Sequence, residues 1–186
     1  MSTRPTKDQL AAAYGTTIPD VIAPGLDVLF CGINPGLYSG ALKQHFARPG
    51  NRFWPALHRG GFTPRLFKPS EQEELLALKL GITNVVARTT ARADELTDDE
   101  YREGGKILQA KVEEYRPRWL AVVGITAYRT AFGFPKARVG AQEHRICDTH
   151  VWVLPNPSGL NAHWTPDGLA AEFAELRAAS QARRNR

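Results

Sequence analysis

Four short apolar runs punctuate the chain. Asp27 is followed by Val28-Leu29-Phe30-Cys31-Gly32-Ile33, which empties into Asn34-Pro35-Gly36. That pattern predicts a buried strand delivered into a tight turn. Residues 81–86 and 119–124 have the same character, and residues 151–154 lead into Pro155-Asn156-Pro157-Ser158-Gly159. Between the runs the spacing turns helical. Thr97-Asp98-Asp99-Glu100 has the form of a capping box, after which Ile107, Leu108, Val112 and Tyr115 are placed on one face before Pro117 ends the helix. Thr165-Pro166 reads as an N-cap with proline at the first helical position, and Leu169, Phe173 and Leu176 supply that helix with an apolar stripe. Strands alternating with helices predict an α/β fold, a three-layer α/β/α sandwich around a short, mostly parallel sheet. In such sheets ligands bind beyond the carboxyl ends of the strands, so the two proline-glycine loops are where chemistry is expected.

Composition narrows this picture. The 186 residues are 42% hydrophobic and 23% charged, with no repeat and no linker, and are expected to form a single domain. No apolar run approaches the ~20 residues of a membrane helix, and the N-terminus lacks a signal core, so a cytoplasmic protein with no membrane partner is expected. Cys31 and Cys147 sit in apolar strand-like runs and read as small buried hydrophobes, with nothing favouring a disulfide. Arg183 to Arg186 read as a frayed basic tail. The net charge of +5 says less than its distribution: acids avoid residues 28–70, 115–142 and 149–166, and six of them crowd between Asp94 and Glu103. Either the acid-free stretches meet on one face suited to a polyanion, or the surface is merely uneven.

Inventory removes several chemistries. Two cysteines are too few for an iron–sulfur cluster. There is no HxxxH, HExxH or CxxC pair for a metal, the histidines at 45, 58, 144, 150 and 163 are scattered, and no GxGxxG or Walker loop is present. Neither a metal nor a cofactor is expected.

Gly32-Ile33-Asn34-Pro35-Gly36 and Leu154-Pro155-Asn156-Pro157-Ser158-Gly159-Leu160 together resemble the two signature loops of the mismatch-specific uracil-DNA and thymine-DNA glycosylases. The similarity runs on through Phe46-Ala47-Arg48-Pro49-Gly50-Asn51-Arg52-Phe53-Trp54, Gly81-Ile82-Thr83-Asn84, Arg88-Thr89-Thr90 and Arg102-Glu103-Gly104-Gly105, and covers roughly residues 25–178. This resemblance implies a monomer that flips uracil or a mismatched pyrimidine out of double-stranded DNA and hydrolyses its glycosidic bond. A short N-terminal helix is expected before the core.

The resemblance also implies roles. Asn34 stands where the family places the asparagine that positions the attacking water; taken alone, Asn34-Pro35-Gly36 is equally a turn. Ile33 and Gly36 are expected to offer backbone groups to the base, Phe46 to stack on it, and Ser39 to belong to the same pocket. Asn84 either hydrogen-bonds in that pocket or closes a strand end. Leu160 is the candidate wedge that fills the vacated stack, within a DNA-binding loop comprising Asn156, Ser158, Gly159 and Asn161. Asn161-Ala162 departs from relatives, which place an arginine near the wedge to read the opposite strand, so the preference for G mismatches that the resemblance implies lacks that residue here. Asp94 is a second candidate for activating water, or one more acid of a solvated cluster. No lysine occupies a family catalytic position, which argues against a lyase step. The rival from another class is a non-catalytic lesion sensor with the same pocket; a small-molecule hydrolase would show no salt-dependent DNA binding.

Overall fold

The computed structural model of the chain describes residues 4–182. Helix α1 (Lys7–Ala12) precedes strand β1 (Val28–Gly32), and two short helices, α2 (Leu37–Leu42) and α3 (Phe53–Arg59), follow it. A 3-10 segment (Pro69–Leu78) leads into β2 (Leu80–Asn84), then come α4 (Asp98–Tyr115), β3 (Trp119–Val123), α5 (Ile125–Phe132), β4 (Gly140–Ile146), β5 (Thr149–Leu154) and α6 (Pro166–Ala182). The strands form one sheet in the order β2-β1-β3-β5-β4. All neighbouring pairs are parallel except β4 with β5.

Both faces are covered, as the continuous apolar strands require. Val28 and Phe30 join α3 and α6 in one core with Phe53, Leu57 and Phe173, whereas Leu29 and Cys31 join Leu108, Val112 and Tyr128 of α4 and α5 in the other. Alternation thus survives in the packing although the sequence of β1 is apolar throughout. The Thr97 capping box and the Thr165 cap are formed, the latter with Thr165 Oγ1 accepting from Gly168 N–H at 2.9 Å.

Two expectations need correction, and one strand carries no signal in the sequence. The edge strand β4 was not foreseen, because its residues alternate between half-buried and exposed and are largely polar, a pattern that an edge tolerates. Ile107 is 55% exposed; α4 turns Gly104, Gly105, Leu108 and Val112 inward, and Ile107 lies a quarter turn away from that face. Cys147 is exposed, in the tight turn between β4 and β5, with a left-handed φ of 52°. Both it and the buried Cys31 are free thiols. The tail at 183–186 lies outside the described residues. No described helix is long and apolar enough to cross a membrane.

The topology fixes where the site must be. From β1 the chain passes to β2 on one side, and from β2 across α4 to β3 on the other side of β1. The order therefore reverses at β1, and the loops leaving the parallel strands open onto the same edge of the sheet.

Candidate active site

At that edge lies a cavity of about 670 Å³. The loop after β1 supplies Ile33, Asn34, Gly36 and Ser39, the segment before α3 supplies His45, Phe46, Arg48 and Asn51, β2 and its loop supply Asn84, Thr90 and Arg92, and the loop after β5 supplies Asn156 and Ser158. Two smaller hollows adjoin it and share Ser158, one along residues 124–127 and 160–164, the other between residues 48–51 and 158–160. Among the described residues, no aspartate or glutamate lines any of the three. The acid-free stretches of the sequence thus meet here, with Arg48 and Arg92 at the cavity wall.

Asn34 is held by both protons of its amide. Nδ2 donates to the Arg88 carbonyl at 2.9 Å and to Thr90 Oγ1 at 2.9 Å, while the Thr90 hydroxyl spends its own proton on the Arg92 carbonyl at 2.8 Å. Thr90 can therefore only accept, which fixes which end of the amide is nitrogen. Oδ1 accepts from no group among the described residues. A carboxamide oxygen takes a hydrogen bond but no proton near neutral pH, so it can orient a water molecule without deprotonating it. The loop itself is pinned to its neighbour: Val86 N–H donates to the Ile33 carbonyl at 2.9 Å, Thr90 N–H to the Pro35 carbonyl at 3.1 Å, and Gly40 N–H to the Gly36 carbonyl at 2.9 Å.

A second fixed amide stands on the next strand. Gly32 and Asn84 are register partners on β1 and β2. A β-carbon added at Gly32 would lie 2.6 Å from Asn84 Oδ1 and 3.1 Å from the Phe46 ring, so only glycine leaves room for both. His45 Nε2 lies 2.9 Å from the Pro19 carbonyl, which requires a proton on Nε2. Burial lowers the His45 pKa from 6.5, leaving the ring neutral and Nδ1 an acceptor. Asn84 Nδ2 faces that Nδ1 at 3.4 Å, and the amide orientation follows. Phe46 adopts a left-handed φ of 52° and stacks on Phe53 with centroids 4.1 Å apart. Strain of this kind persists only where the surroundings impose it. Here Ser39 Oγ accepts from Ala47 N–H at 3.0 Å and helps to hold the turn.

The loop after β5 is built on itself. Asn156 Oδ1 accepts from Ser158 N–H at 3.0 Å, Ser158 Oγ from Leu160 N–H at 3.2 Å, and Asn161 Oδ1 from His163 N–H at 3.0 Å. Asn161 Nδ2 donates back to the Asn156 carbonyl at 3.0 Å. These side chains shape the loop. Gly159 packs on the backbone of residue 50, where a β-carbon would come within 2.5 Å of the Gly50 carbonyl oxygen. At the tip Leu160 is 78% exposed, the most exposed large apolar side chain among the described residues.

Asp94 stands apart from these groups. It belongs to a 3-10 turn at Ala93–Glu95, its side chain is 71% exposed and pairs with Arg92 Nε at 3.1 Å, and Ala93 rather than Asp94 lines the cavity. Three residues that matter here carry no role in the sequence reading: Thr90, His45 and Arg52. Thr90 and Arg52 are visible in the sequence as members of resembling blocks, and His45 as one of five scattered histidines, with no sign of the groups they hold.

The sequence profile of the uracil DNA glycosylase superfamily matches residues 19–179. A protein from Methanosarcina acetivorans, whose solution NMR structure is provisionally described as that of a uracil DNA glycosylase, superposes with a TM-score of 0.58 at 19% identity, covering 88% of this chain and 98% of its own. At that identity the likeness establishes the shared fold. The family match spans most of the chain and includes every cavity residue discussed above, and the chain belongs to the uracil DNA glycosylase superfamily, whose members are hydrolases acting on DNA.

Proposed function

We propose that this protein is a monofunctional DNA glycosylase that, as a monomer, flips uracil and related damaged pyrimidines out of duplex DNA, mismatched pairs included, and leaves an abasic site. The observation that carries this reading is the pair of pinned amides in a cavity without acids. Asn34 presents a lone acceptor oxygen, and Asn84 presents a donor and an acceptor of fixed order. A flat base stacked on Phe46 gains about 1–3 kcal/mol. Its edge would meet Asn84, with N3–H of uracil donating to Oδ1 and O4 accepting from Nδ2. Cytosine presents the reverse order at those positions, and His45 keeps the amide from turning to suit it.

Hydrolysis then needs little covalent help. The C1′–N1 bond breaks with its electron pair going to the pyrimidine, whose anion is stabilised by fixed donors of the pocket. Water held by Asn34 Oδ1 adds to C1′ and releases its proton to solvent. No lysine lines the cavity among the described residues, so no Schiff-base step is assigned. Without a general base the reaction is slow, and Asp94 has no part in it. Leu160 enters the gap left by the flipped nucleotide. Both polar atoms of the Asn161 amide are engaged inside the loop, so they do not read the opposite base. Guanine opposite uracil is favoured over adenine only to the extent that the weaker pair opens more readily.

The test is release of free base from duplexes carrying uracil opposite guanine, uracil opposite adenine, or no uracil. Uracil is expected from the first two with the strand left uncut, and no cytosine from the third. Tight, salt-dependent binding without release would convert the reading to a lesion sensor.

A further inference from the structure

Arg52 lies outside the base-contacting set, yet it is the residue most heavily committed to the β5 loop. Its Nη1 donates to the Trp164 carbonyl at 2.6 Å, and Nη2 donates to the carbonyls of Ser158 at 2.7 Å and Asn161 at 2.8 Å. Its backbone N–H donates to the Pro157 carbonyl at 2.8 Å. The Nε is buried without a hydrogen-bond partner, and the guanidinium has no ion pair among the described residues. A positive charge used in this way is serving as a planar fork of donors, which a lysine cannot copy. The next residue, Phe53, is the ring beneath Phe46. Two consecutive residues therefore reach the base-stacking ring on one side and the loop bearing Leu160 on the other.

We infer that Arg52 is a positioning residue that locks the Leu160 loop in register with the base pocket, so that wedge insertion and base capture occur on one rigid frame. The inference rests on the reading of Leu160 as a wedge. It excludes the simpler role of Arg52 as a phosphate contact, because three of the four Nη protons are committed to carbonyls.

Arg52→Gln removes the fork, and Arg52→Lys keeps the charge and stem should the glutamine variant fold poorly. Without DNA, amide hydrogen exchange across residues 158–164 is expected to accelerate at least about tenfold in both variants, with little change in the strands. Unchanged exchange would overturn the clamp whatever the protein's activity. With a uracil duplex carrying 2-aminopurine beside the lesion, Arg52→Gln and Leu160→Ala are each expected to lower flipping by about tenfold. The double variant is expected to be no worse than the weaker single one. Losses that multiply to about a hundredfold would mean that the two residues act separately. The salt slope of binding is expected to be unchanged in Arg52→Gln; a fall of about one would mark a phosphate contact and overturn the inference, as would wild-type flipping by Arg52→Lys. A wild-type protein that neither flips nor releases uracil would count against the glycosylase reading, while the exchange result still decides the clamp.

Discussion

The loop after β1 and the loop after β5 leave the same edge of the sheet, yet they are built in opposite ways. The first is tied by Ile33, Asn34 and Pro35 to the loop that follows β2, and it leaves one oxygen unspent. The second satisfies its polar groups internally, borrows its remaining support from Arg52, and exposes one apolar tip. A group that must orient a water molecule needs a rigid frame and one free valence. A group that must enter a base stack needs reach, an apolar surface and no unsatisfied polar atoms at its base. Both loops are rich in Pro, Asn and Gly, and only the partners of those residues separate a reaction loop from an insertion loop.

Several variants would break or sharpen this contrast. Among variants that leave Asn34 in place, the largest effect is expected from Gly32→Ala, whose methyl would meet Asn84 Oδ1 and Phe46. Base release should fall about 100-fold, as for a comparable misplacement of reacting groups, while DNA binding through the β5 loop persists. Leu160→Ala should slow release about tenfold with an unchanged melting temperature, since the side chain is 78% exposed and supports nothing in the fold. A melting shift would show that the loop tip is structural.

Acid should act on the first loop region more than on the second. Burial lowers the His45 pKa below 6.5, so its neutral form and the Asn84 lock are present above that depressed pKa and are lost as pH falls through it. The rate is expected to drop on that limb, and His45→Gln should flatten it. Global stability should respond at still lower pH. The Arg88 guanidinium holds Glu100 at about 2 against an ordinary 4.5, so this pair stabilises the fold above about pH 4.5 and is lost as pH falls towards 2. Melting curves of Glu100→Gln should lose that part of the acid dependence. The smallest effect is expected from Asp94→Asn, under about twofold in rate, because its carboxylate is exposed and paired with Arg92.

Much of the architecture was legible because burial forces it. Strands covered on both faces must be apolar, and the capping residues at Thr97 and Thr165 mark helix starts by their own hydrogen bonds. Strand β4 was hidden because an edge strand may carry Gln142, Glu143, His144 and Arg145. The position of Ile107 was misjudged because Gly104 and Gly105 share the inward face of α4 with Leu108 and Val112, which turns Ile107 outward. The placement of Asn34, Phe46 and Asn84 at the cavity and of Leu160 at a loop tip was legible from the motifs that hold them. The devices that orient them were not. Thr90, His45 and Arg52 act across 56, 39 and up to 112 positions of sequence, and no local pattern encodes such pairings.

The most direct test of the central claim separates flipping from bond cleavage in Asn34→Ala. With enzyme in excess over a uracil duplex bearing 2-aminopurine beside the lesion, fluorescence reads flipping and quenched time points read base release. Flipping close to wild type with release slowed by about 100-fold or more is expected if the free oxygen of Asn34 holds the attacking water. Release at the wild-type rate, or a loss of flipping equal to the loss of release, would contradict that role.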